Sequence, residues 1–87
     1  MIQSFDDANG WTNRETWNTI LWMTNEFPIY KLLMRLYRGS LSEGDFADNV
    51  EYFLNLIWNG ETPDGYRLSP VNWVEIADSW YYENRQP

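Results

Sequence analysis

The chain has 87 residues, thirteen acids against six bases for a net charge of −7, and neither cysteine nor histidine. That length bounds one domain with a single modest core. Without Cys or His there are no disulfides, no thiolate chemistry, no usual general base and none of the commonest zinc and iron ligands. The charge argues against direct nucleic-acid binding, which needs a basic footprint. It suits a basic protein partner, including one whose natural ligand is DNA or RNA, although solubility is the commoner reason for such a charge. Aromatics make up 18% of the chain, with six Trp and six Tyr, so several rings are expected at the surface. Met1 is followed by Ile-Gln-Ser-Phe-Asp-Asp, which has neither the basic start nor the apolar run of a secretory signal. No window approaches the ~18 apolar residues of a membrane span. A soluble, cytoplasmic protein is expected.

Met1 to Gly10 shows no periodicity and reads as an irregular lead-in reaching Trp11, with Ile2 or Phe5 as its anchor. Thr12 and Glu15 have the spacing of a capping box, which starts a helix over about Asn13 to Asn25. At ~100° per residue, Trp17, Ile20, Leu21 and Thr24 share one face, and Trp22 and Met23 fall on either side of it. Trp22 therefore has two readings, a second packing contact or an anchor for a partner, and packing is the commoner. Glu26-Phe27-Pro28 interrupts the helix, because the residue before proline is driven out of helical geometry. Pro28 opens a second helix. Ile29, Leu32, Leu33 and Leu36 form its buried face, Lys31, Arg35 and Arg38 an opposite basic stripe, and Gly39 a left-handed stop. The stripe reads as a solvated face, or a partner for acids of the third helix, rather than a phosphate site.

Ser42, with Asp45 three residues on, begins the third helix. Phe46, Val50, Phe53, Leu54 and Ile57 supply its apolar face and Gly60 closes it. Glu43, Asp45, Asp48 and Glu51 crowd its first half. Each early acid favours a helix N-terminus by ~0.3–1 kcal/mol, an ordinary structural reason for the cluster. It is also the densest negative surface in the chain. Glu61 to Leu68 reads as loop, and Thr62-Pro63-Asp64-Gly65 fits a type I turn. Ser69 then caps, and Pro70 opens a fourth helix that runs to about Tyr82. Trp73, Val74, Ile76, Ala77, Trp80 and Tyr81 form its apolar arc, and residues 84–87 are expected to fray. The sum is an all-α, compact single domain of about four short helices across residues 1–87. Its expected core is Trp17, Ile20, Leu21, Leu32, Leu33, Leu36, Val50, Phe53, Leu54, Ile57, Val74, Ala77 and Trp80.

Paired acids occur at Asp45 with Asp48 and at Glu75 with Asp78. Such pairs hydrolyse glycosides when they flank a cleft. On adjacent turns of a helix in so small a domain they are mostly solvated surface, so a hydrolase is the least favoured reading. The five glycines form no phosphate loop, and Glu43 to Asn55 lacks the ligand alternation of a calcium loop. No enzyme, no cofactor and no metal are expected.

Asn13-Arg14-Glu15-Thr16-Trp17-Asn18, followed by Leu21-Trp22, resembles a motif near the N-terminus of small, largely uncharacterised proteins of phages and other mobile elements. The matching portion covers about Thr12 to Tyr30, and the relatives often continue with Asn and an acid, as Asn25-Glu26 does. No activity is attached to the motif, so no functional residue transfers with it. The resemblance implies context, since small acidic proteins of this origin are similar to those that disable host machinery, anti-CRISPR and antirestriction proteins among them. On that resemblance the expected function is inhibition of a host nucleic-acid-handling defence complex by protein–protein contact, in the host cytoplasm. Its partner would be a host protein or ribonucleoprotein with a basic surface, without direct nucleic-acid or membrane contact. The rival is a scaffold or virion-associated protein that self-associates, as a homodimer, through its surplus aromatics. Thirteen acids are sparse for a DNA mimic, and Lys31, Arg35 and Arg38 dilute their field. A mixed interface of exposed aromatics rimmed by acids is therefore expected. Its candidate residues are Glu43, Asp45, Asp48 and Glu51, with Trp22 as the aromatic anchor.

Overall fold

The structure, a computed structural model, describes residues 9–84. The expected anchors Ile2 and Phe5 and the tail beyond Asn84 lie outside the described residues. Four helices follow in order among those residues: α1 (Arg14–Asn25), α2 (Phe27–Gly39), α3 (Glu43–Trp58) and α4 (Trp73–Asn84). The protein is an all-α single domain, as the periodicity predicts. Its one extended pairing among the described residues is an isolated antiparallel bridge between Glu61 and Arg67. No helix among the described residues is long and apolar enough to cross a membrane.

The core is built on α3 and α4. Phe46, near the start of α3, lies 5.9 Å from Trp80 and 5.7 Å from Tyr81 near the end of α4, so the two helices run antiparallel. Phe46, Val50 and Leu54 face Trp73, Ile76, Ala77 and Trp80, with Met23 from α1 and Leu33 from α2 closing the cluster. Offset and edge-on ring pairs of this kind add about 0.5–1.5 kcal/mol each beyond the area they bury. Leu68 and Val71, in the connection before α4, are buried in the same cluster. Leu68 is drawn in because its amide donates to the Gly60 carbonyl at 2.9 Å, which folds the connection back across the end of α3.

Several expected core positions are not core. Val74 is 68% exposed, and Leu32 and Ile57 are exposed as well. Trp17 and Leu21 are half-buried, whereas Ile20, Leu36 and Phe53 pack against the cluster from its edge. The buried side of α1 is Thr16, Thr19 and Met23 rather than the expected Trp17–Leu21–Thr24 side, a rotation of about one residue's step. Two threonines can line that interface because their hydroxyls are satisfied locally: Thr16 Oγ1 donates to Asn13 Oδ1 at 2.6 Å and Thr19 Oγ1 to the Glu15 carbonyl at 2.8 Å. In α2 the aromatic bodies of Tyr30 and Tyr37 turn inward instead of Leu32. Tyr37 lies 4.9 Å from Tyr81 and 5.9 Å from Phe46, both edge-on.

The helix ends differ in detail. Asn13, not Thr12, caps α1, with its Oδ1 accepting from the Thr16 amide at 2.8 Å. Ser42 caps α3 by accepting from the Asp45 amide at 3.1 Å, as expected. Gly39 is the last helical residue of α2, and extended Ser40, not a left-handed glycine, ends it. Left-handed Asn59 ends α3, one residue before Gly60. The Thr62–Gly65 turn closes as predicted, with the Gly65 amide donating to the Thr62 carbonyl at 2.8 Å. Pro70 does not open α4. Ser69 and Pro70 form a turn, and Asn72 Oδ1 accepts from the Glu75 amide at 3.0 Å just before α4 begins.

Candidate functional site

The stretch Asn13 to Asn18 is committed to holding the fold. Asn13 and Asn72 cap α1 and α4, and the two helix starts are bonded to one another. Asn13 Nδ2 donates to the Pro70 carbonyl at 2.8 Å, and the Asn72 amide donates to Thr16 Oγ1 at 2.9 Å. Glu75 Oε1 accepts from the Thr12 amide at 3.2 Å, and Asn72 Nδ2 donates to Thr12 Oγ1 at 3.3 Å. Each N-terminus exposes amides without intrahelical partners, and here the side chains of one helix start satisfy the other. One turn on, Asn18 Nδ2 donates to Asp64 Oδ2 at 2.8 Å. The Asn18 side chain is buried, and its Oδ1 has no partner among the described residues. This arrangement accounts for Asn13 and Thr16 without any ligand.

The structure separates the four acids expected to act together. Asp45 Oδ2 accepts from the Leu41 amide at 2.9 Å, completing the cap of α3. Glu43 and Asp45 both lie near Tyr81, whose hydroxyl is pushed up by burial first, then by the fields of Tyr37, Glu43 and Asp45. Of the four, Asp48 and Glu51 alone are exposed. Glu75, half of the second acid pair, is held in the junction between helix starts, and no acid cluster among the described residues could hold a metal ion. Trp22 is half-buried, and its Nε1 donates to Asp64 Oδ2 at 2.9 Å. Hydrogen bonds from Asn18 and then Trp22 hold the Asp64 carboxyl below its ordinary 3.8, against a smaller opposing effect of burial.

What the acids do rim is an apolar ridge outside the expected core. Tyr52 is 72% exposed and Leu56 66%. Asp48, Tyr52 and Leu56 recur every four residues along the outer side of α3, so they form one ridge, with Glu51 and Asn55 as its neighbours. Large apolar groups in a row on a solvent face mark interaction surfaces more often than isolated ones do. The signal was present in the sequence as the four-residue spacing of Tyr52 and Leu56 opposite the buried Val50–Leu54 side. The basic stripe of α2 is solvated, with Lys31, Arg35 and Arg38 exposed and Lys31 Nζ 5.5 Å from the Phe27 ring centroid.

Comparison with known protein families, curated proteins and solved structures gives no match. No family is shown. The ridge and its acids therefore stand on their own geometry.

Proposed function

We propose that this chain is a non-catalytic binding protein whose α3 ridge docks on a basic protein surface. On the resemblance of residues 12–30 to mobile-element proteins, that surface belongs to a host nucleic-acid-handling defence complex, which docking inhibits. The reading rests on one observation: Tyr52 and Leu56 project into solvent beside the exposed carboxylates of Asp48 and Glu51. Aromatic and aliphatic anchors contribute most of the energy at such interfaces, and rim charges set association rate and partner choice. The half-buried, hydrogen-bonded Trp22 supports a packing role better than an anchor role.

The test is capture of partners from host lysate with the wild-type chain and with a Tyr52→Ala/Leu56→Ala variant. Recovery of a restriction or CRISPR component by the wild type and not by the variant supports the proposal. Recovery of the chain alone, with sedimentation velocity showing a dimer, supports the rival reading of self-association through the same ridge.

A further inference from the structure

We propose that the cleft between α1, α2 and α4 binds a neutral carboxamide whose oxygen accepts from the Trp80 indole. The observation that carries this is an unmet donor. Trp80 is 4% exposed, and its Nε1–H, closed to solvent, has no acceptor among the described residues. Buried donors without partners are rare, because such a group gives up its hydration and gains nothing in return. Trp80 also lines a half-open cleft of about 370 Å³, within the range that small ligands occupy. The second cleft, which Trp22 lines, offers no such donor, since that indole already donates to Asp64.

The other walls restrict what the acceptor belongs to. Ile20 of α1 and Tyr30 of α2, whose ring centroid lies 5.6 Å from that of Trp80, supply apolar surface. Thr24 Oγ1 donates to the Ile20 carbonyl and Asn84 Nδ2 to the Trp80 carbonyl, both at 2.9 Å, so each is held by its own helix. Ser79 and Glu83, one turn apart on α4, make no hydrogen bond or ion pair with another described residue. They bring a hydroxyl and a carboxylate to the cleft, and no basic side chain lines it among the described residues. A cation would leave the indole N–H unmet, an anion would meet Glu83 uncompensated, and a hydrocarbon would satisfy neither. A carboxamide matches all of it: its oxygen takes the indole N–H, its own N–H goes to Ser79 or Glu83, and its apolar body lies along Ile20 and Tyr30. Because Nε1 is closed to solvent, entry needs an outward shift of the lining, for which the half-buried Tyr30 and exposed Glu83 leave room.

A free small amide and a glutamine side chain of a partner protein share this chemistry. The cleft shares no residue with the α3 ridge, so it stands whether or not the ridge docks a partner. The test is a ¹H–¹⁵N titration of the intact protein with benzamide and, separately, with N-acetyl-glutamine N-methylamide. Acetophenone, which keeps the acceptor without the N–H, and benzoate, which is an anion of the same shape, are the controls. A saturable downfield shift of the Trp80 indole proton is expected with at least one amide, and the tighter amide names the source. Acetophenone should bind about two- to tenfold more weakly than benzamide, the worth of one hydrogen bond, and benzoate more weakly still. Glu83→Gln, at an exposed position, should leave the melting temperature unchanged and narrow the gap between benzoate and benzamide by about twofold or more. An indole proton that neither amide moves, shifts that fail to saturate, or benzoate binding as tightly as benzamide to the wild type would each overturn the proposal.

Discussion

The indole Nε1 of Trp22 donates to Oδ2 of Asp64 at 2.9 Å, which fastens the middle of α1 to the tip of the Thr62–Gly65 turn. Trp22→Ala should therefore lower the melting temperature by about 5 °C or more, as loss of a large half-buried contact does in a domain of this size. Trp22→Phe should lower it less, because the ring remains and only the donor is lost. Thermal melts of both variants check this, and an unchanged melt for Trp22→Ala would return Trp22 to the anchor role.

The same oxygen makes the turn sensitive to acid. Asn18 and Trp22 hold the Asp64 carboxyl below its ordinary 3.8, so its folded-state value lies under the unfolded one. Its contribution is then fully present above the unfolded value and is lost as the pH falls through the lower, folded value. Asp64→Ala should melt below wild type at neutral pH, and the gap should narrow once the pH drops beneath 3.8. Melting temperatures across that acid range measure it.

At the junction of helix starts, Asn13→Ala should cost about 0.5–2 kcal/mol, the usual cost of a lost N-cap. Thr16→Val preserves shape but leaves the Asn72 amide without its 2.9 Å acceptor, which costs about 1–3 kcal/mol for a buried group. The two changes should be non-additive, because Asn13 and Thr16 are also bonded to each other; double-mutant urea denaturation reads the coupling.

Leu68 and Val74 separate the observed core from the expected one. Leu68, 1% exposed in the connection, should cost about 2–5 kcal/mol on truncation to Ala. Val74→Ala should stay within about 0.5 kcal/mol. Urea midpoints of the two variants decide it.

On the α3 ridge, Asp48→Lys with Glu51→Lys should slow association with a basic partner and flatten its dependence on salt. Asp45 is left intact in that test because it caps α3. Stopped-flow association at two ionic strengths checks it, and rates that do not change would mean that these acids only solubilise.

The four helices were legible because their apolar spacing is long and their breaks, at Pro28 and before Ser42, are chemically sharp. Helix rotation was less so. In α1 the large side chains Trp17 and Leu21 outvote Thr16 and Thr19 in any apolar count, yet the threonines face inward because their hydroxyls find partners within the helix and across the junction. Tyr30 and Tyr37 escape an apolar count for the opposite reason: their hydroxyls mask rings that pack as well as leucine. Leu68 and Val71 carry no periodic signal, since only the return of the connection buries them. For the site, the local density of acids was visible, but their division between a cap, a tyrosine and open solvent depends on where α4 lies.

The clasp between the two helix starts joins residues 56 to 63 positions apart. Its closure is therefore a long-range event, deferred until most of the chain has collapsed, because the entropy of closing so long a loop must be met before any of its bonds form. During synthesis, α1 emerges before Pro70, Asn72 and Glu75 and waits for them to complete the clasp at its first turn. In the interval that end of the helix frays, and an early stop before Asn72 would leave it so permanently.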